Sequence, residues 1–217
     1  MRLRGFITSF VVCLLTTVFL TGGCTQCAES PSDAPTESPK PTVGSDDYQI
    51  LEIVLTDLVG FKDFDPMVGE GKKTRIVLSI RTAGSDGTGG SPGFLGDGQL
   101  NGEGHDKTPY LIAADIRVDL WRRNPKEPVS LAEFKPSSPL ILLADLRGLR
   151  GFDGFSTKYP DARGYVVTWL PGFSKDGRAA VLRASFGPTA HGATLTYMLV
   201  KKGEHWEVVW RTVGYYG

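Results

Sequence analysis

Cysteine is scarce in this chain of 217 residues, which contains only three. Cys13 lies in an apolar N-terminal stretch, and Cys24 and Cys27 follow it closely. Because the remaining residues include none, the chain can form neither a disulfide framework nor a cysteine-rich zinc site. Residues 47–217 must therefore hold their fold by packing, and a domain of about 170 residues is long enough to bury a core.

Histidine and clustered charge are also sparse. The three histidines are His105, His191 and His205, and no two of them have the i, i+4 spacing of helical metal ligands. Lys and Arg number 24, as do Asp and Glu, and no long run of like charge occurs. We therefore predict no metal site, no cofactor and no nucleic-acid partner.

The N-terminus has the pattern of an export signal. Arg2 and Arg4 precede an apolar stretch from Phe6 to Leu20, which is too short for a comfortable membrane span. Leu20-Thr21-Gly22-Gly23-Cys24 follows and resembles a bacterial lipobox, although Thr21 stands where the usual leucine would be. The resemblance implies removal of residues 1–23, acylation of Cys24 (as with palmitate) and anchoring in the cell-envelope membrane. Plain secretion, including release into the periplasm, and an uncleaved anchor are the alternatives.

Residues 24–46 are rich in Pro, Ser, Thr and Glu and contain hardly an apolar side chain. Such a segment cannot bury enough surface to offset the entropy lost on ordering. We predict a disordered tether here, followed by a single folded domain over residues 47–217.

Helical and extended patterns alternate in the first half of that domain. The i, i+3, i+4, i+7 spacing of apolar residues predicts a helix; these residues are Leu51, Val54, Leu55 and Leu58. We expect Ser45 to cap this helix and Gly60 to end it. Alternation predicts a strand over 74–82. Residues 111–124 fit a strand by alternation but a helix by four-residue spacing and by the terminal Arg122-Arg123-Asn124, and we predict a helix. The pattern over 140–149 does not decide between a strand and a strand-to-helix element.

Residues 83–109 are rich in glycine and poor in apolar anchors. Their acidic residues prompt comparison with calcium loops, but neither EF-hand nor nonapeptide spacing is present. We predict a long loop without a metal site.

The C-terminal block predicts four antiparallel strands in a meander. Asp176-Gly177 and Lys202-Gly203-Glu204 supply turns short enough to require antiparallel neighbours. The predicted strands have alternating apolar faces, which are Tyr165, Val167 and Trp169; Ala180, Leu182, Ala184 and Phe186; Leu195, Tyr197 and Leu199; and Trp206, Val208 and Trp210. We predict an α+β fold in which two or three helices pack against an antiparallel sheet, with the two amphipathic helices covering one face.

The same block resembles a family of bacterial exported proteins of uncharacterised activity. The resemblance rests on the order of a Tyr159-Pro160…Gly164 turn, a Gly172-Phe173 segment and a terminal strand with Trp206 and Val208. It covers roughly the last half of the chain and implies fold and export. Cysteine–glycine steps common in those relatives are absent from the hairpin around residues 186–192.

Two sets of residues are candidates for function. Ser185 or Ser174 with His191 and Asp176 could form a hydrolase triad, but no G-x-S-x-G elbow is present. Phe152 and Phe155, beside glycines, and Tyr215 and Tyr216, near the terminus, could form a contact surface. We therefore predict a non-enzymatic binding or structural protein whose partner is an envelope protein or glycan, with an envelope hydrolase near His191 as the alternative.

Overall fold

The computed structural model describes residues 41–60, 75–84, 112–149, 151–187 and 193–215, apart from the side chains of residues 151, 152 and 215. All of them belong to one compact unit that begins at Lys40. The described helices are α1 (Ser45–Gly60), α2 (Ala114–Arg123) and α3 (Gly151–Lys158). The described strands are β1 (Arg75–Ser79), β2 (Ile141–Ala144), β3 (Ala162–Thr168), β4 (Gly172–Phe173), β5 (Ala179–Gly187), β6 (Ala193–Lys202) and β7 (His205–Tyr215).

One mixed sheet runs in the order β2-β1-β3-β5-β6-β7, and β4 pairs with β5. The predicted α+β class and the C-terminal meander are confirmed, since β3, β5, β6 and β7 are successive antiparallel neighbours. The sheet is not antiparallel throughout, because β1 pairs in parallel with both β2 and β3. Parallel neighbours need a crossover connection, and α2 and α3 lie in the segments that join these strands.

Two predicted turns occur as expected. Gly177, between β4 and β5, has φ of 67°, and Gly203, between β6 and β7, has φ of 62°. Residues other than glycine rarely adopt this left-handed backbone conformation. The two glycines therefore fix the positions at which the hairpins reverse.

The first two predicted helices are confirmed, and α1 ends at Gly60 as the sequence indicates. Its N-terminus differs in one respect. Asp47, not Ser45, makes the capping contact, because its Oδ2 accepts a hydrogen bond of 2.7 Å from the backbone N–H of Gly44. The undecided stretch 140–149 contributes the short strand β2 and no helix.

The helices cover both faces of the sheet, so the expectation that both amphipathic helices share one face is wrong. α1 packs over a core that includes Val166, Leu182 and Tyr197, whereas α2 packs on the opposite face with Trp169 and Val181. The reason lies in β5, where every residue from Ala180 to Ala184 is buried. A strand buried on both faces needs cover on both.

A β-bulge at Val209 changes the predicted face of one tryptophan. Leu199 pairs with Val208 and Met198 pairs with Trp210, so Val209 is the extra residue of β7. A shift of one residue moves every following side chain to the other face. Trp210 therefore lies on the face of Met198, opposite to Trp206, and the prediction of a shared face for these two tryptophans is wrong.

Candidate functional site

A groove of about 710 Å³ lies between the first half of α1, the segment 133–137 and the start of β7. Aromatic side chains form part of this concave surface. Its lining consists of Ser45, Tyr48, Gln49, Glu52, Ile53, Glu133, Phe134, Lys135, Ser137, His205 and Trp206.

The α1 side of the groove follows from the helix that the sequence predicts. Leu51, Leu55 and Leu58 face the core and are almost fully buried. Tyr48 and Glu52, four residues apart, lie one above the other on the adjacent face. The helix therefore presents an aromatic ring and a carboxylate beside its buried stripe.

The segment 133–137 is tied to the sheet and to α1. Leu131 donates a backbone hydrogen bond of 2.7 Å to Ile80, just beyond β1. The backbone N–H of Ser137 lies 3.1 Å from each carboxylate oxygen of Glu52. The rings of Tyr48 and Phe134 stack with centroids 5.7 Å apart and an interplanar angle of 24°. These contacts fix both walls of the groove.

Trp206 closes the groove at the first residues of β7. It is 3% exposed, so the prediction that it belongs to the core is confirmed. Its ring centroid lies 5.7 Å from that of Phe173, and Lys201 Nζ lies 5.6 Å from the ring. The indole Nε1 is buried and has no hydrogen-bond acceptor among the described residues. A buried donor without an acceptor costs free energy, which an acceptor brought close to it could recover.

The groove has negative electrostatic character. Glu52 and Glu133 line it, against the single ammonium of Lys135. Burial raises the pKa of the Tyr48 hydroxyl, and the negative charges of Glu133 and Asp47 raise it further. An aromatic ring close to carboxylates favours a cationic group of a ligand over an anionic one.

The structure separates two members of the predicted triad. Ser185 lies near the C-terminal end of β5, paired with Thr194, whereas Asp176 lies in the turn before β5. From Ala179 to Ser185 the strand extends about 20 Å, at roughly 3.3 Å per residue, which is far beyond hydrogen-bond reach. Asp176 is therefore wrong as a partner of Ser185.

Ser174 and Asp176 are adjacent, but their contact belongs to the turn. Ser174 Oγ donates a hydrogen bond of 2.6 Å to Asp176 Oδ1, and the backbone N–H groups of Arg178 and Ala179 point at Ser174 Oγ. The bond from Ser174 and one from the Arg178 backbone lower the pKa of Asp176. His191 lies outside the described residues. The strand ends that flank it, Gly187 and Ala193, are at the opposite end of the β5–β6 hairpin from this turn.

Phe155 cannot belong to the predicted contact surface, because it is buried. Phe155 is 2% exposed and packs against Tyr159 and Tyr165 with ring centroids 5.3 and 5.4 Å away. Phe155 lies in the helix α3 with its ring buried, where it cannot meet a partner. Phe152 lies in α3 and Tyr215 ends β7, but their side chains are outside the described part, as are Tyr216 and Cys24.

The groove itself was not found from the sequence. Tyr48, Phe134 and Trp206, which line it, come from three distant segments of the chain. The one local signal is the i, i+4 pair Tyr48–Glu52, which is common on solvated helix faces. Tertiary packing, and no sequence motif, creates the site.

Within the described residues no group of three or more His, Cys, Asp and Glu side chains is arranged to hold a metal ion. No helix in the same ranges has the length and apolar character needed to cross a bilayer. Comparison with protein-family models, with curated proteins and with solved structures gave no match.

Proposed function

We propose that this protein is a lipid-anchored, non-enzymatic binding protein of the bacterial cell envelope. Its anchor is a pair of acyl chains on Cys24, and its binding site is the groove between α1, the segment 133–137 and β7. The observation that carries the binding role is the groove, which combines aromatic side chains with fixed walls. Concave surfaces of this size, lined by aromatic side chains and a few polar groups, are typical ligand sites.

The anchor is supported by the N-terminal sequence. The length of the apolar stretch from Phe6 to Leu20 and the small residues before Cys24 are typical of exported lipoproteins. Two acyl chains suffice for stable attachment, since each buried methylene contributes about 0.8 kcal/mol. Attachment through Cys24 thus needs no membrane-spanning element in the folded domain.

The partner we propose is a basic peptide segment of another envelope protein. The carboxylates of Glu52 and Glu133 and the ring of Tyr48 suit a lysine or arginine side chain. A neutral glycan would satisfy the ring and the hydrogen-bonding groups but would leave the carboxylates without a counter-charge.

A site-specific crosslinking experiment tests the site and the ligand class. The intact lipoprotein would carry a photo-crosslinker at Gln49, which is exposed in the groove, or at Thr56, which is exposed farther along α1. We expect labelling of a lysine-rich peptide from position 49 only, weakened by Glu133→Gln and by salt. Equal labelling from both positions would overturn the proposed site.

Competition identifies the ligand class in the same experiment. A glutamate-rich peptide of equal length should not displace the lysine-rich peptide from position 49. A neutral glycan fragment should not displace it either. Displacement by the glycan, together with indifference to Glu133→Gln, would replace the basic peptide with a carbohydrate ligand.

A further inference from the structure

The outer face of α2 is apolar and uncovered. Val118 is 67% exposed and Trp121 is 43% exposed, and Ala114 continues the stripe at i, i+4, i+7 spacing. Trp121 differs from Trp169 and Trp206, which are buried. An exposed tryptophan beside an exposed valine on one helix face is a typical mark of an interaction surface.

Two carboxylates of α2 are engaged by hydrogen bonds within the fold, while basic side chains beside the stripe are exposed. Asp119 Oδ2 accepts a hydrogen bond of 2.8 Å from the backbone N–H of Phe173, and Asp115 Oδ2 accepts one of 3.0 Å from that of Lys175. Both carboxylates are thereby turned toward the β4 segment. Arg122 Nη2 donates a hydrogen bond of 2.6 Å to Asp119 Oδ1, yet the Arg122 side chain remains 78% exposed, and Lys126 is also exposed.

The turn beside α2 adds two further cations. Lys175 and Arg178 are exposed, and with Asp115 and Ile116 of α2 they line a second cavity. Exposed carboxylates are fewer here: Asp176 is engaged by Ser174 Oγ, and Glu127 follows α2. The apolar stripe is therefore flanked mainly by positive charge, a combination that suits an anionic lipid surface.

The position of α2 relative to the chain entry points to the same partner. Arg123, the last residue of α2, donates a hydrogen bond of 3.2 Å to the backbone carbonyl of Thr42. The chain therefore enters the folded unit beside the C-terminal end of α2. The disordered tether that the sequence predicts between Cys24 and Thr42 would span roughly 25 Å, about the diameter of a small domain.

We propose that the outer face of α2 rests on the anionic lipid surface to which the chain is anchored. Trp121 and Val118 enter the interfacial layer, and Arg122, Lys126, Lys175 and Arg178 meet lipid phosphates. Tryptophan is well suited to this layer, because its ring is apolar and its N–H can remain hydrated. The contact orients the domain on the membrane, and it rests on α2 and on the proposed anchor but not on the groove.

Quenching of tryptophan by brominated lipids tests this contact. The intact protein would be reconstituted into vesicles of phosphatidylglycerol and phosphatidylethanolamine with bromine in the acyl chains. We expect Trp121→Phe to remove most of the quenching, because the described tryptophans other than Trp121 are buried or half-buried. Val118→Asp should reduce it several-fold, while Val209→Asp, at an exposed valine of β7, should leave it unchanged.

Further experiments test whether charge contributes to the membrane contact and whether the contact depends on the acyl anchor or on the groove. Removing the charges of Arg122 and Lys126 should weaken quenching, as should vesicles of phosphatidylcholine, since each basic residue near an anionic surface strengthens binding roughly fivefold. Cys24→Ala protein added to the same vesicles tests α2 without the acyl anchor, and Tyr48→Ala tests it without the groove. Quenching unaffected by Trp121→Phe, or Trp121 shielded from iodide by an envelope protein but not by vesicles, would overturn the proposal.

Discussion

Arg123 and Asp47 form a buried two-point ion pair that joins helices from opposite faces of the sheet. Nη1 lies 2.6 Å from Oδ1 and Nη2 lies 2.8 Å from Oδ2, and the side chains are 13% and 2% exposed. Arg123 Nη1 also donates to the carbonyl of Pro171, and the guanidinium lies 5.0 Å from the ring centroid of Phe173. The pair thus connects α1, α2 and the β4 segment at one point.

Removing either partner of this pair should strongly destabilise the fold. Arg123→Met leaves the Asp47 carboxylate buried without its cation, and Asp47→Asn leaves the guanidinium without its anion. Loss of one partner of a buried pair costs about 3–5 kcal/mol in the free energy of unfolding. Urea denaturation of both single variants and of the double variant measures this.

The double variant provides the control. Because neither partner is then left charged and alone, its loss should be clearly smaller than the sum of the two single losses. Strictly additive losses would mean that the two residues do not stabilise each other.

Gly172 tests how closely α2 approaches the sheet. A Cβ built on this residue would lie 2.6 Å from the carbonyl oxygen of Ile116 and 2.6 Å from Leu120 Cβ. Gly172→Ala should therefore push α2 away and lower the free energy of unfolding by about 1–3 kcal/mol, the usual cost of overpacking. Gly60→Ala, at the end of α1, meets no atom within 4 Å and should be neutral or slightly stabilising. Equal effects at both glycines would show that the contact is looser than described.

Trp206 should be a major contributor to stability. Truncation to alanine removes a nearly fully buried ring, and Trp206→Ala should lower the free energy of unfolding by about 3–5 kcal/mol. Trp210→Ala, at a half-buried position, should cost clearly less. Denaturant midpoints compare the two, and a loss below about 1 kcal/mol for Trp206→Ala would contradict its place in the core.

Tyr197 makes the free energy of unfolding depend on pH in the alkaline range. Burial raises the pKa of its hydroxyl well above the ordinary value of 10.0, and the charge of Asp57, which accepts the hydroxyl hydrogen bond at 3.0 Å, raises it further. The folded state therefore holds the proton more tightly than the unfolded state. The resulting stabilisation is full below pH 10 and is lost as pH rises from there toward the folded-state pKa.

Tyr197→Phe isolates this effect. The variant should lose about 1 kcal/mol near neutral pH with the hydrogen bond. Above pH 10 its free energy of unfolding should fall less steeply, by up to about 1.4 kcal/mol per pH unit. Urea titrations on both sides of pH 10 measure the two slopes, and identical slopes for wild type and variant would rule out this role of Tyr197.

The sequence predicts those parts of the fold that depend on local chemistry. Helical spacing places α1, and the glycines at 177 and 203 place two turns, because both signals are complete within a few neighbouring residues. The sequence could not predict on which face of the sheet Trp210 lies, because residues 206–210 include apolar side chains at both odd and even positions. Only the pairing with β6 shows the bulge at Val209. The assignment of α1 and α2 to opposite faces likewise depends on how β5 is covered.

The candidate site was hidden from sequence analysis for the same reason. Tyr48 and Phe134 carry no motif, and their stacking exists only after α1 and the segment 133–137 pack together. A triad of Ser185, His191 and Asp176 requires these side chains to lie close together in space, which sequence spacing does not show. An extended strand between Ser185 and Asp176 keeps them apart.

Membrane fractionation tests the central claim, the anchoring of this domain through Cys24. The wild-type chain should partition with the membrane and incorporate radiolabelled palmitate. Cys24→Ala should remove the label and shift most of the protein to the soluble fraction, whereas the matched variant Cys27→Ala should behave as wild type. Cys24→Ala protein that stays in the membrane fraction, or wild type that takes up no label, would contradict the account.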